Sequence, residues 1–269
     1  MSSKILRYAV KFSMALTVLS MAFLVVYVLV NGIPYLKPSL FSLEYNSENV
    51  SFLPSIINTI ILVVGSILVA APLGIFAAIY LVEYASRGNK IVSLVRLTAE
   101  TLSGIPSIVY GLFGMLFFVT TLRCGYSLVA GICTVSMMIL PLILRTTEEA
   151  LKSVPDSYRE GSYGLGAGKI RTGCSVVLPA AVPGILSGVI LAVGRVVGET
   201  AALIYTAGTV ADFPKSAFSS GRSLAVHMYE LSREGFHTGE AYATAVILIL
   251  LVLIINWFSN KLANKIKKV

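Results

Sequence analysis

Apolar residues in this chain come in long unbroken runs rather than at alternating or helical-face spacing. Six stretches carry no Asp, Glu, Lys, Arg or His: Phe12 to Leu36, Asn49 to Val82, Thr101 to Leu122, Cys124 to Leu144, Thr172 to Gly194 and Ala241 to Asn260. The fifth continues past Arg195 and Glu199 to Ala211. A helix needs about 20 largely apolar residues to cross the hydrocarbon core, so each stretch predicts one crossing. The expected fold is an all-α integral membrane protein with six transmembrane helices in a single domain over 1–269. The spans are expected at about 12–32, 55–80, 103–122, 126–144, 179–207 and 241–260, with a polar loop over 145–178.

Composition agrees, since 56% of the 269 residues are hydrophobic and 13% are charged, against roughly 25% charged in an ordinary soluble domain. The net charge of +8 does not point to nucleic acid, because the basic residues sort by side. With the N-terminus inside, fifteen of them fall on the inner side: Lys4, Arg7, Lys11, Arg87, Lys90, Arg96, Arg145, Lys152, Arg159, Lys169, Arg171, Lys261, Lys265, Lys267 and Lys268. Five fall outside: Lys37, Arg123, Lys215, Arg222 and Arg233. That asymmetry sets orientation, with both termini in the cytoplasm and the chain in the cell's cytoplasmic membrane.

The first run follows Lys4, Arg7 and Lys11 but is longer than a signal h-region and lacks a small-x-small cleavage site, so it reads as an uncleaved anchor. It has no polar face, which suits lipid contact. The second carries Asn58, Thr59, Gly65, Ser66, Pro72 and Gly74, small and polar residues that belong at helix interfaces. The third opens on Gly104-Ile-Pro106 with Ser107, Tyr110, Gly111 and Gly114 behind it, a helix expected to start or break there. Cys124, Cys133 and Cys174 show no metal-type spacing.

The loop between the fourth and fifth runs contains Gly164-Leu-Gly-Ala-Gly-Lys169-Ile170. A phosphate-cradling Walker A loop needs Gly where Tyr163 stands and Ser or Thr where Ile170 stands, so the nucleotide reading fails and any ATP site belongs to a partner. The loop instead predicts a short helix, with Ser157 and Glu160 at capping-box spacing, Ser153 and Asp156 as an alternative start, and Pro155 in the first turn. Glycines 164, 166 and 168 would end it.

In order, the loop holds Glu160-Gly161-Ser162, then Gly166, then Val176-Val-Leu178-Pro179. This resembles the signature Glu-Ala-Ala, three residues, Gly, nine residues, Ile-x-Leu-Pro of permease subunits in binding-protein-dependent ABC importers, with Gly161 and Ser162 in place of the alanines. Four further blocks are similar to phosphate importer permeases of the PstA type: Asn58-Thr59 with Pro72-Leu-Gly74, Ala78 to Tyr84, Gly104 to Gly114, and Gly194 to Ala201. The resemblance implies a type I importer (MetI-like) fold, a coupling role for Glu160, Gly161, Ser162, Gly166, Leu178 and Pro179, and no covalent chemistry in this chain. It implies a second permease of the PstC type, an ATPase dimer of the PstB type that holds the ATP, and an extracytoplasmic phosphate-binding protein of the PstS type. No cofactor and no metal are expected in the chain itself.

Charge inside an apolar span marks a substrate or ion path by default. A continuous fifth helix would place Gly184, Gly188, Arg195, Glu199 and Ala202 on one face. Arg195 supplies a planar fork of donors suited to an oxyanion, and Glu199 is expected to hold it when the path is empty. Ser107, Tyr110, Asn58 and Thr59 complete the expected path. Sulfate or molybdate import is the neighbouring alternative. An ion channel or intramembrane enzyme is a remote one, because no Ser/His, HExxH or paired-aspartate set lies on the helices.

Overall fold

A computed structural model describes residues 2–86 and 88–266, with side chains placed over 5–86 and 88–261. Arg87, Lys267 and Lys268, counted in the charge asymmetry, lie outside the described residues, as do the side chains of Lys4 and Lys265. The described residues are mostly helical, with no strand among them. Its helices are α1 (Ser2–Gly32), α2 (Leu53–Ile79), α3 (Lys90–Ser103), α4 (Ser107–Gly114), α5 (Leu128–Lys152), α6 (Asp156–Gly164), α7 (Lys169–Thr172), α8 (Leu178–Val197), α9 (Ala201–Ile204), α10 (Leu224–Glu234) and α11 (Thr238–Ile266). π-Helical turns extend α2 over Tyr80–Tyr84 and α4 over Met115–Thr121, and a third over Gly173–Val177 leads into α8.

Among the described residues five helical segments are long and apolar enough to cross a membrane, and a bent pair makes six when its two helices are counted as one span. In that pair, Lys90–Ser103 turns by 102° into Ser107–Thr121. The third crossing therefore starts at Ser107 rather than at 103. The stretch before it, whose Lys90 and Arg96 were assigned to the inner side, is the amphipathic helix α3. Pro106 explains the corner, since the residue before a proline avoids the α conformation and a proline offers no N–H to the preceding turn.

Two boundaries differ in ways that matter for function. The fourth helix was expected to end near Pro141 to Arg145, yet α5 runs through Pro141 to Lys152, so the polar loop is much shorter than 145–178. Packing of α5 against α2 and α8 on both sides holds the segment helical beyond the proline. The fifth helix begins before 179, since Lys169–Val197 forms one apolar segment, and it stops at Val197 instead of continuing to 207.

The centre of the fold is α2, α5 and α8. Apolar packing through Leu62, Val135, Ile139, Ile143, Ala192, Val196 and Leu203 fills the space between them. Lipid is as apolar as these side chains, so close backbone approach and interhelical hydrogen bonds carry the association. Ser136 Oγ donates to Ser66 O at 3.3 Å, joining α5 to α2. Gly188 on α8 lies directly on Thr146 of α5, where any Cβ would collide with that side chain. By contrast α1, whose apolar window has none of its residues buried, stands at the edge against α11.

At the end where α2 begins, Leu40, Val50 and Phe52 pack on Leu224 and Leu231 of α10. His227 of α10 is fully buried there. Burial, helped by the Arg222 guanidinium, pushes its imidazole down to about 3. It therefore stays neutral at physiological pH, and Arg222 rests instead on the Tyr45 ring, 4.6 Å from its centre.

Candidate functional site

Arg195 sits in the last turn of α8 and opens onto a cavity of about 620 Å³ between α5, α8 and α11. Its walls are Leu142, Ile190, Leu191 and Gly194, with Ser187, Asn256 and Asn260 as the polar companions of Arg195. The guanidinium is half-buried, and among the described residues no carboxylate lies at ion-pair distance from it. A fork of donors without a fixed counter-ion is the arrangement that receives an anion.

The expected Arg195–Glu199 pair is absent, which corrects the single-face picture. With α8 ended at Val197, Gly198 and Thr200 turn the chain, and Glu199 Oε1 accepts the backbone N–H of Ala202 at 2.9 Å. The carboxylate, only 8% exposed, caps the short helix α9 instead of neutralising the arginine. A helix start leaves its first N–H groups without partners, and an acidic side chain is the strongest available acceptor for one of them.

The other expected path residues separate. Tyr110 is buried and donates to Leu102 O at 2.9 Å, closing the corner between α3 and α4. Ser107 is half-buried at the first residue of α4. Asn58 and Thr59 are fully buried at the far end of α2, away from the cavity walls. Asn58 Nδ2 donates to Asp212 O and Arg222 O, and Thr59 Oγ1 accepts from Leu224 N at 2.8 Å. Both bind the loop before α10 in place. Asn256 and Asn260 had not been singled out, although two uncharged amides spaced by four residues in an apolar run were a visible signal.

The polar loop folds as the short exposed helix α6, followed by a turn. Pro155 is its N-cap and no side chain caps it, so neither expected capping pair forms. Ser153 instead ends α5, and Asp156 binds Arg159 at 3.2 Å. The helix continues through Gly161 and Ser162 despite their weak propensity. Ser162 Oγ lies 2.8 Å from Thr172 Oγ1, tying the helix to α7. Gly166 has φ +83 with open space around its Cβ position, so backbone conformation alone requires glycine there. Leu178 and Pro179 open α8 behind a π-helical turn.

The strongest tie from α6 to the membrane helices is Arg159, which the sequence reading had counted only as one charge among many. Its Nη2 donates to Glu83 Oε1 at 2.8 Å and to Leu151 O at 3.0 Å, while Nη1 donates to Val154 O at 2.9 Å. One side chain thus joins α6 to the ends of both α2 and α5. The hydrogen bonds to Glu83 hold the guanidinium above its ordinary range. Both side chains are shielded, at 14% and 8% exposure.

Residues 70–268 match the family described as binding-protein-dependent transport system inner membrane component. The chain is 32% identical over 260 residues, covering 90% of it and 88% of the relative, to the probable ABC transporter permease protein YqgI of Bacillus subtilis. It is 37% identical over 218 residues, 77% of it and 72% of the relative, to the phosphate transport system permease protein PstA 2 of Mycobacterium bovis. Among solved structures, a bacterial alginate ABC transporter in complex with alginate pentasaccharide-bound periplasmic protein aligns at TM-score 0.71, with 16% identity and coverage of 99% and 98%. The MetNI methionine ABC transporter aligns at TM-score 0.62, with 19% identity and coverage of 80% and 94%. Matched over most of its length by the family's own pattern, and folded as a multi-pass helical membrane protein, the chain belongs to the binding-protein-dependent transport inner membrane components: it is a permease subunit of an ABC importer, which works with a separate ATPase and a binding protein and does no catalysis itself.

Proposed function

We propose that this subunit forms half of the membrane path of an ATP-driven phosphate importer. The observation that carries the reading is the guanidinium of Arg195, which faces a cavity and has no counter-ion among the described residues. Its two-pronged geometry matches phosphate oxygens, and permeases named for phosphate transport are among the relatives. Energetics require a driven partner. Moving one negative charge inward against about 100 mV costs roughly 2.3 kcal/mol, and a dianion about twice that. The partners are a second, PstC-type permease, a PstB-type ATPase dimer that binds the ATP, and a PstS-type binding protein outside. The chain itself needs no cofactor. In cells with this transporter as their only high-affinity route, radiolabelled phosphate uptake should require the subunit and resist excess sulfate and molybdate. Competition by either at equal concentration would reassign the cargo.

The orientation places both termini and α6 in the cytoplasm, supported by the charge asymmetry along the sequence. α6 then docks on the ATPase through Glu160, Gly161 and Ser162, with Gly166, Leu178 and Pro179 shaping the turn behind it. Cysteines replacing Asn46 and Ser219 should react with an impermeant thiol reagent in intact cells, and one replacing Ser162 should react only after the membrane is opened. Labelling at Ser162 from outside would reverse the assignment.

A further inference from the structure

The largest cavity among those described, about 860 Å³, lies away from Arg195, between the end of α2, the start of α3 and the helices of the polar loop. It is lined by five cations, Lys90, Arg96, Lys152, Arg159 and Lys169. Three are committed. Arg159 holds Glu83 and Asp156, and Glu148 lies 2.6 Å from Arg96 Nε and 2.7 Å from Lys152 Nζ. That accounts for every carboxylate on its walls. Lys90 and Lys169, among the described residues, have no carboxylate at ion-pair distance. The cavity therefore keeps two uncompensated positive charges.

Two independent features act in the same direction. Lys90 is the first residue of α3, capped by the Asn89 side chain, so the partial positive charge of a fourteen-residue helix adds to the ammonium there. The opposite face of α3 is apolar and bare, with Ile91, Leu94 and Leu97 at 70%, 62% and 61% exposure. A helix turned 102° from the adjoining crossing, apolar outward and basic at one end, has the character of a segment lying in a membrane interface beside phosphate groups.

We propose that this cavity is a binding site for a phosphate-bearing anion, gripped by Lys90 and Lys169 and presented either by an anionic lipid headgroup or by the free ion. Because Lys169 opens α7 and Arg159 of α6 forms another wall, an occupant bridges the α2–α3 corner to the proposed coupling helix. The site is separate from the Arg195 cavity and does not depend on phosphate being the cargo.

The test uses the full chain in its transporter complex, with Cys124, Cys133 and Cys174 replaced by serine and a reporter cysteine at Ser93 on the cavity wall. Labelling by an uncharged maleimide is followed in phosphatidylcholine nanodiscs with and without inorganic phosphate, and in phosphatidylglycerol nanodiscs without it. A cysteine at the exposed Asn46, away from the cavity, corrects in parallel for general effects of the disc. Ligand at ten times its Kd should slow the reporter roughly tenfold by mass action. Slowing by phosphate identifies the free ion, and slowing by phosphatidylglycerol identifies the headgroup. Either supports the site only if Lys90→Gln/Lys169→Gln abolishes it while Arg195→Ala leaves it intact. No slowing in either disc, or slowing that survives the double lysine change, overturns the proposal.

Discussion

Replacing Arg195 by alanine should abolish phosphate uptake while the subunit stays in the membrane at its normal level. The separation of the two effects follows from Glu199. If the two residues were paired, removing the arginine would strand a buried carboxylate and unfold the region. Because Glu199 is instead bound to the Ala202 N–H at 2.9 Å, its partner survives the change. What disappears is a charge-assisted fork, each of whose bonds is worth about 1.5–3 kcal/mol, so uptake should fall by about a hundredfold or more. Arg195→Lys keeps the charge but not the planar geometry, and a drop of about tenfold is expected. Glu199→Gln retains an oxygen to accept from Ala202 and should transport nearly normally. The measurement is radiolabelled phosphate uptake normalised to subunit abundance. Wild-type uptake in Arg195→Ala would remove the arginine from the path, and loss of the protein from the membrane would make its role structural.

Arg159→Ala should uncouple the transporter. The side chain carries the main polar links from α6 to the ends of α2 and α5, and its removal leaves Glu83 shielded from water without a partner and takes a donor from the carbonyls of Leu151 and Val154. Breaking a well-buried pair from one side costs about 3–5 kcal/mol, and this one keeps some contact with solvent, so about 2–3 kcal/mol is expected. That is enough to free α6 from the bundle without unfolding helices held by α2, α5 and α8. ATP hydrolysis by the assembled complex should persist while uptake falls at least tenfold. The double change Arg159→Met/Glu83→Met should recover part of the uptake, because an apolar pair leaves no stranded charge. Uptake at the wild-type level in Arg159→Ala would show that force reaches the membrane helices by another route.

The crossings were legible because lipid imposes a length and an absence of charge on any segment that spans it. Gly166 was equally legible, since a glycine between a short helix and the next element needs only local backbone geometry to explain it. What escaped the sequence were features decided by distant partners. Glu83 and Arg159 meet across 76 positions, and no periodicity along either segment announces it. The end of α8 at Val197 was hidden because Gly198 and Thr200 resemble the small residues that line helix interfaces elsewhere in the chain. The helix α3 carried a visible amphipathic pattern, but its turn away from α4 depends on Pro106 and on the pull of Glu148 upon Arg96. Asn58 and Thr59 were singled out as polar residues in an apolar span, and the hydrogen bonds they make to the loop before α10 depend on partners more than 150 positions away.

On the proposed reading, Arg195, with no counter-ion among the described residues, also decides what the transporter keeps out. Between cycles, a fixed positive charge in a region of low dielectric raises the local potential, and an approaching sodium ion, potassium ion or hydronium meets a barrier where an anion meets a well. A path that relied on a neutral polar lining would offer small cations water-like passage each time it opened. On the proposed reading, the group that would receive the cargo also guards the membrane potential, and opening toward either side need not short-circuit the cell.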